Sequence, residues 1–264
     1  MKRLTLKKPV RKDDLLQFVF SREQIDGGFS FVETTPPTLE DTYYAVGILK
    51  DLNIRYYDLK TLDFIKKSAI DFCGPGHLFY LSFLYKAFNR SPGRIFYSNM
   101  SKIEVNSIES CYYMFRAYEN LNKKIGNLNI ENYLQTKNSF RKSYLSRVSK
   151  YIYLTKRMNI PINTKGYASW ISRSQNDDGG FGFKPDTTSF IENTYYGLIA
   201  LCSLGSANLN INKCIDFIYS CHSTSGGFGR QKTTIPTLQN TYQALLSLKI
   251  LDKMRINKSA EEGI

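Results

Sequence analysis

The stretch Gly179-Gly180-Phe181, followed by Ile191-Glu192-Asn193-Thr194-Tyr195, decides the fold because it recurs along the chain. An earlier copy pairs Gly27-Gly28-Phe29 with Leu39-Glu40-Asp41-Thr42-Tyr43, and a later one pairs Gly226-Gly227-Phe228 with Leu238-Gln239-Asn240-Thr241-Tyr242. In every copy the Phe precedes the Glu or Gln by eleven residues. A unit of about 50 residues with a fixed internal offset indicates a repeat architecture.

The segments around these copies have helical periodicity. Thr38–Leu52 repeats apolar residues at a period close to 3.6, and Thr38 is a typical helix N-cap. Ser189–Leu204 is apolar on nearly every side, whereas Leu59–Cys73 and Asn210–Cys221 are amphipathic. Buried and amphipathic helices therefore alternate, which predicts an all-α ring of helical hairpins in which an outer helix covers each inner one.

A looser form of the phrase, a polar residue with an aromatic Tyr three positions later, predicts further copies. Glu109-Ser110-Cys111-Tyr112 fits closely, while His77–Tyr80 and Arg141–Tyr144 fit loosely. The six predicted polar positions are Glu40, His77, Glu109, Arg141, Glu192 and Gln239. Six hairpins would close a barrel around a central cavity. Its substrate-binding wall is predicted to contain Arg141 and Gln239 together with the aromatic residues Tyr43, Tyr112, Tyr195 and Tyr242.

Composition sets broad limits on the protein. The 264 residues, 42% of them hydrophobic, suffice for one large core, which we place at residues 13–252 between a basic arm (1–12) and a tail (253–264). Five cysteines without paired spacing predict reduced thiols in the cytoplasm. No signal peptide or apolar stretch of about 18 residues is recognisable, so neither secretion nor a membrane span is predicted.

The net charge of +13 is scattered rather than gathered into one tract. This charge suits peripheral contact with an anionic membrane surface, binding of a diphosphate, or an acidic protein partner. No nucleic-acid-binding motif accompanies it, so no nucleic-acid partner is predicted.

The repeat carries a family resemblance. Ser174–Gly182 with Ile191–Tyr195, and Cys221–Arg230 with Gln239–Tyr242, resemble the repeat of protein prenyltransferase β subunits. Squalene–hopene and other class II terpene cyclases share this repeat family. The resemblance implies an α/α toroid of about six hairpins whose cavity holds an isoprenoid, without fixing the chemistry.

The zinc site that this resemblance implies is not reproduced. In protein prenyltransferases an Asp-x-Cys on one inner helix and a His on the next hold a catalytic zinc, and here those places carry Glu192, Thr194 and Gln239. Thr and Gln are poor zinc ligands. Asp186 and Ser189 stand where the family has its basic diphosphate-binding pair, so ordinary protein prenyl transfer is not expected.

The cyclase motif is reproduced in part. Class II cyclases carry Asp-x-Asp-Asp-Thr at an inner-helix start, and the corresponding stretch here is Thr38-Leu39-Glu40-Asp41-Thr42. Glu40 and Asp41 are therefore candidate catalytic acids, although a helix N-terminus stabilises the charged form of a carboxylate. The alternative interpretation is that both residues only cap the helix.

Metal binding is a secondary hypothesis, and no cofactor is predicted. His77, Glu109 and Cys111 could bind zinc if neighbouring inner helices bring them together. The three carboxylates Glu40, Glu109 and Glu192 suit Mg²⁺, a cationic ligand or a carbocation.

Two functions stay open at this point. The residues at the six polar positions differ in type, which favours a terpene cyclase-like or prenyltransferase-like enzyme. Its substrate would be an isoprenoid or a similarly apolar molecule. The candidate catalytic carboxylates are Glu40, Asp41, Glu109 and Glu192. The absent zinc ligands favour the alternative, a toroid that has lost catalysis and binds a lipid, peptide or protein partner.

Overall fold

The computed structural model describes residues 10–71, 74–125, 128–136, 144–206 and 208–261, with side chains through residue 256. Within these ranges the secondary structure is helical apart from isolated antiparallel bridges. The all-α prediction is therefore confirmed. Over the same residues, no helix has both the length and the apolar character needed to cross a membrane.

The described helices run in the following order. They are α1 Lys12–Phe20, α2 Leu39–Asp51, α3 Leu59–Ser68, α4 Pro75–Ala87, α5 Arg94–Ser101, α6 Ile108–Asn120, α7 Ile130–Thr136, α8 Leu145–Arg157, α9 Thr164–Ser172, α10 Ile191–Leu204, α11 Ile211–Ser220 and α12 Leu238–Glu261. The last helix continues into the segment predicted as a tail.

The chain divides into two compact units, residues 16–135 and residues 1–15 with 136–264. In the first unit, α4 packs between α2 and α6, and these three helices form a row. Helices α3 and α5 each contact α4 and cover the row. In the second unit, α10 packs between α8 and α12, while α9 contacts α10 and α11 contacts α12. Each unit thus alternates row helices with covering helices, as the sequence periodicity predicts.

Most predicted helix ends agree with the structure. Thr38 caps α2, and Asn210 and Cys221 cap the two ends of α11. The prediction of a helix over Leu59–Cys73 is wrong at its C-terminal end, because α3 stops at Ser68. There the backbone changes to a tighter turn, with Ile70 N–H donating to the carbonyl of Lys67.

The first half of the repeated phrase is a turn that only glycine fits. Gly27, Gly179 and Gly226 have φ angles of +93°, +90° and +98°, which are unfavourable for residues with a Cβ. A Cβ on Gly27 or Gly179 would also overlap backbone atoms of the following covering helix. The Phe that ends each turn is fully buried, with 0% exposure at all three places.

The second half of the phrase binds the first through its threonine. Phe181 N–H donates to Thr194 Oγ1 at 3.0 Å, and Thr194 Oγ1 donates to the carbonyl of Phe190 at 2.9 Å. The other two copies have the same pair of bonds, through Thr42 and Thr241. The offset in the sequence is constant because this hydrogen bond joins the two halves.

We expect Thr194→Val to lower the free energy of unfolding by about 1–3 kcal/mol, because it leaves the buried Phe181 N–H without an acceptor. Urea denaturation followed by circular dichroism measures the loss. Thr187→Val is the matched control, since Thr187 accepts a comparable backbone bond in an exposed turn and its loss should stay within about 0.5 kcal/mol. Equal losses for the two variants would contradict the role assigned to Thr194.

Candidate functional site

The helices that form the two rows, called row helices below, start with the same backbone hydrogen bond, and this bond gives them a common numbering. In each of α2, α4, α6, α8, α10 and α12 the N–H of the fourth residue donates to the carbonyl of the N-cap residue. The second residues are Glu40, Gly76, Glu109, Ser146, Glu192 and Gln239. The sixth residues are Tyr44, Tyr80, Tyr113, Lys150, Tyr196 and Gln243.

This register corrects two of the six predicted copies. His77 is the third residue of α4, one place away from the predicted position, and its Nε2 lies 2.7 Å from the carbonyl of Ser68. Arg141 lies outside the described residues. Tyr144 is the N-cap of α8 rather than its fifth residue, so the register of the Arg141 copy is wrong and Ser146 takes the second position.

Asp41 belongs to a repeated cap. Its N–H donates to Thr38 Oγ1 at 2.9 Å, and Thr38 Oγ1 donates to Asp41 Oδ2 at 2.7 Å. The same pairing joins Thr237 with Asn240 in α12. Burial raises the pKa of Asp41, the hydrogen bond from Thr38 lowers it, and the Glu40 carboxylate raises it further. Asp41 thus combines a capping role with a carboxyl group that holds its proton more tightly than usual.

Glu40, at the N-terminal end of α2, accepts hydrogen bonds from tyrosine hydroxyls. Tyr80 on α4 donates to Glu40 Oε1 at 2.8 Å, and Tyr44 donates to the same oxygen at 3.3 Å. Burial, followed by the charge of Tyr113 and of Glu40, raises the pKa of Tyr80 above its ordinary value. Tyr80 therefore stays protonated at neutral pH and acts as a donor.

Seven aromatic residues extend from this carboxylate over α2, α4 and α6. This aromatic wall consists of Tyr43, Tyr44, Phe79, Tyr80, Phe83, Tyr112 and Tyr113. The Tyr43 ring lies 4.7 Å from Phe83 and 5.0 Å from Tyr80, and Tyr80 lies 6.3 Å from Tyr113, all between centroids. Four of the rings, those of Tyr80, Phe83, Tyr112 and Tyr113, are only half-buried. The wall therefore offers aromatic surface to a ligand.

The predicted metal ligands do not come together. Among the described residues, no group of three or more His, Cys, Asp or Glu side chains could hold a metal ion. Cys111 is fully buried, and burial raises the pKa of its thiol to about 12. His77, Glu109 and Cys111 therefore do not form the zinc site that their spacing suggested.

In the second unit, the residues at the zinc positions of protein prenyltransferases have other roles. Thr194 makes the buried bonds of the repeated turn described above. Glu192 forms an ion pair with Arg230, whose guanidinium carbon lies 3.8 Å from the centroid of the Phe190 ring. Gln239 is exposed. These residues do not fit a catalytic zinc.

The second unit also carries aromatic residues at the predicted positions. Tyr195 lies 5.3 Å from Tyr196 between ring centroids, and both are half-buried, as is Tyr242. The buried Lys150 has its Nζ 5.7 Å from the centroid of the Tyr196 ring. This surface pairs two Tyr rings with one buried cation.

Comparison with known proteins identifies the family. The family model "Prenyltransferase alpha-alpha toroid domain" matches residues 1–72, 113–214 and 193–262. The chain belongs to the prenyltransferase alpha-alpha toroid family. This membership confirms the fold and the resemblance that the repeated phrase predicts. No curated protein matches the chain.

One solved structure similar to this toroid chain is Candida albicans protein geranylgeranyltransferase-I complexed with GGPP. It is 12% identical in sequence, the match covers 81% of this chain and 84% of that one, and the TM-score is 0.41.

Sequence reasoning missed part of the aromatic wall of this toroid. Phe79 and Phe83 were not predicted, and Tyr80 was assigned only through the misaligned His77 copy. Arg116, whose guanidinium carbon lies 5.5 Å from the Phe79 ring centroid, was not predicted either. The signal was present at Gly74-Pro75, because Pro favours the first helical position. A helix begun at Pro75 puts Phe79 and Tyr80 in register with Tyr43 and Tyr44.

Proposed function

We propose that this chain is an enzyme of prenyltransferase or terpene cyclase type that holds an isoprenoid or similarly apolar substrate along the aromatic wall. Family membership supports the general class. The single observation that carries the finer proposal is the carboxylate of Glu40, which accepts hydrogen bonds from Tyr80 and Tyr44 at one end of that wall.

Glu40 and the rings act together on positive charge. Aromatic faces attract cations, and a fixed carboxylate adds electrostatic stabilisation that needs little reorganisation during the reaction. Tyr80 and Tyr44 hold the Glu40 carboxylate in place through their hydroxyls. In this proposal Glu40 stabilises a cationic stage of the reaction, while Tyr112 contacts the apolar body of the substrate. Tyr43, which is buried, supports the rings of Tyr80 and Phe83.

Asp41 is the proposed proton donor, because burial raises its pKa. Glu109, at the second position of α6, adds negative charge at the same level of its helix as Glu40 on α2. Glu192, Tyr195, Tyr242 and Gln239 stay predictions for the second unit.

We expect Glu40→Gln to lower turnover of a polyprenyl substrate by about 10²–10³-fold, as found when a preorganised electrostatic group is removed from an active site. Tyr80→Phe, which removes one hydrogen bond to Glu40, should give a loss of about 10-fold. The measurement is product formation from geranyl, farnesyl and geranylgeranyl diphosphates, analysed by mass spectrometry, with ligand affinity measured by calorimetry on the same proteins.

Glu104→Gln is the matched control, since Glu104 is an exposed carboxylate of the same unit. It should retain full turnover. Unchanged turnover in Glu40→Gln would overturn the role of Glu40.

A non-catalytic binder is the second candidate. It is favoured by one observation: the carboxyl group of Asp41 is engaged in a helix cap that Thr237 and Asn240 reproduce without a carboxylate. Saturable binding of the apolar ligands with no product from any of them would support this candidate over the enzyme.

A further inference from the structure

The tyrosines at the sixth positions of α2, α4 and α6 follow one another as neighbours across the row. The Tyr44 and Tyr80 rings lie 6.4 Å apart between centroids, and the Tyr80 and Tyr113 rings lie 6.3 Å apart. The sixth positions of α8, α10 and α12 carry a lysine, a tyrosine and a glutamine instead. Among the described row helices, three tyrosines in succession at this position are therefore a feature of the first unit.

The Tyr80 hydroxyl links Glu40 to Tyr113. It donates to Glu40 Oε1 at 2.8 Å, and it is also hydrogen-bonded to the Tyr113 hydroxyl. A phenol has a single hydrogen to donate. Because the hydrogen of Tyr80 is directed at Glu40, the hydrogen of the second bond comes from Tyr113. Donation thus runs from Tyr113 on α6 to Tyr80 on α4, and from Tyr80 to Glu40 on α2.

Tyr113 is suited to be the first donor of this chain. Burial and the Glu40 carboxylate raise the pKa of Tyr113, so its hydroxyl keeps its hydrogen at neutral pH. The start of α4 leaves room for the ring, because Gly76 has no side chain and even a Cβ there would stay 3.8 Å from Tyr113. The Tyr113 ring can therefore lie beside α4 with its hydroxyl against that of Tyr80.

The bond from Tyr113 strengthens the hold of Tyr80 on Glu40. A hydroxyl that accepts a hydrogen bond becomes a better donor, by about 10–30% per bond in condensed-phase estimates. The same bond restrains the Tyr80 phenol to one orientation. Glu40 is exposed, so water competes with Tyr80 for its oxygens. A pre-oriented Tyr80 is what keeps the carboxylate fixed against that competition.

We propose that Tyr113 is a positioning residue that acts on Glu40 through Tyr80. The proposal rests on the electrostatic role given above to Glu40, and it adds the residue that holds the main donor to that carboxylate in place. In this role the Tyr113 hydroxyl does not contact the substrate, and its effect reaches the reaction only by way of Tyr80.

A double-variant cycle tests this route. We expect Tyr113→Phe to lower kcat for the polyprenyl diphosphates by about 3–10-fold, the range for one hydrogen bond, and to leave KM within about 2-fold. The double variant with Tyr80→Phe should lose no more than Tyr80→Phe alone, because the two residues act in one chain. Tyr113→4-aminophenylalanine keeps the ring and supplies an N–H donor, so it should recover most of the loss.

Nuclear magnetic resonance tests the contact without turnover. In chains labelled with carbon-13 at tyrosine Cζ, Tyr113→Phe should shift the Tyr80 resonance, which Tyr80→Phe identifies by its disappearance. Tyr97→Phe is the matched control, since Tyr97 lies on the covering helix α5 of the same unit. Lys123 Nζ lies 3.9 Å from the centroid of its ring, a contact that Phe retains. This control should change neither the Tyr80 resonance nor turnover.

Three outcomes would overturn the positioning role alone. They are losses that multiply in the double variant, a Tyr80 resonance that does not move in Tyr113→Phe, and a Tyr113→Phe variant that raises KM with kcat unchanged, which would make Tyr113 a ligand contact. Absence of turnover in the wild-type chain would instead contradict the proposed function. In that case a shifted Tyr80 resonance would still support the chain from Tyr113 to Glu40, and an unshifted one would still overturn it.

Discussion

Gly179→Ala is expected to lower the free energy of unfolding by more than about 3 kcal/mol, which places it among the most damaging single substitutions. Two independent effects add at this position. The φ of +90° is unfavourable for any residue with a Cβ, and that Cβ would overlap the backbone of Lys213 and Cys214 in α11. Backbone atoms of a packed helix cannot rotate away, so the turn or the helix must move.

Gly205→Ala separates the two effects. Gly205 caps α10 with φ +67°, and a Cβ there would meet no heavy atom within 4 Å. Only the left-handed backbone opposes alanine, at a cost of about 1–2 kcal/mol. Both variants are measured by urea denaturation of the full chain. A loss for Gly179→Ala no larger than that for Gly205→Ala would show that close packing against α11 does not constrain the repeat.

The repeat could be predicted from sequence because local chemistry determines it. Glycine at the turn, a buried Phe and a Thr thirteen residues later form one hydrogen-bonded unit, so each copy must keep the same residues at the same offset. After two of these units the helix begins within two residues of the predicted start, α2 at Leu39 against Thr38 and α10 at Ile191 against Ser189.

The site positions were predicted in register where the unit is present and also in α6, where Glu109 and Tyr112 match the phrase closely without a Gly-Gly-Phe turn. Helices α4 and α8 start after segments without a Gly-Gly-Phe turn, and both copies assigned there were out of register, by one residue at His77 and by five at Arg141. An offset of one residue turns a helical position by about 100°, since a turn takes 3.6 residues. The sequence therefore indicated an aromatic, carboxylate-bearing surface but could not show that Tyr80 contacts Glu40.

The repeated phrase does not predict the two cations near the aromatic wall, for another reason. Arg116 and Lys50 sit late in their helices, where the repeated phrase has ended. Their approach to Phe79 and Phe83 depends on how α2, α4 and α6 pack. Packing between helices depends on side chains distant in sequence, so no local motif reports it.

Phe181→Ala is expected to lower the free energy of unfolding by about 3–5 kcal/mol, the range for truncating a fully buried Phe. Phe181 has 0% exposure and lies against Gly197 of α10, where a Cβ would come within 2.8 Å of its ring. Gly197→Ala should therefore cost about 1–3 kcal/mol by overpacking the same contact. Gly76→Ala is the control within α4, since its Cβ would meet only the Tyr113 ring at 3.8 Å, and it should be neutral or mildly stabilising.

The double variant Phe181→Ala, Gly197→Ala should be no less stable than Phe181→Ala alone. Once the ring is gone, the new methyl group occupies part of the space it leaves, and alanine is favoured over glycine inside a helix by about 1 kcal/mol. The interaction energy of this cycle should therefore be about 1–3 kcal/mol in the stabilising direction. If Gly197→Ala instead cost the same with and without the ring, glycine would be required at position 197 for a reason other than Phe181. The buried Phe would then not be what sets the distance between turn and helix in the repeat.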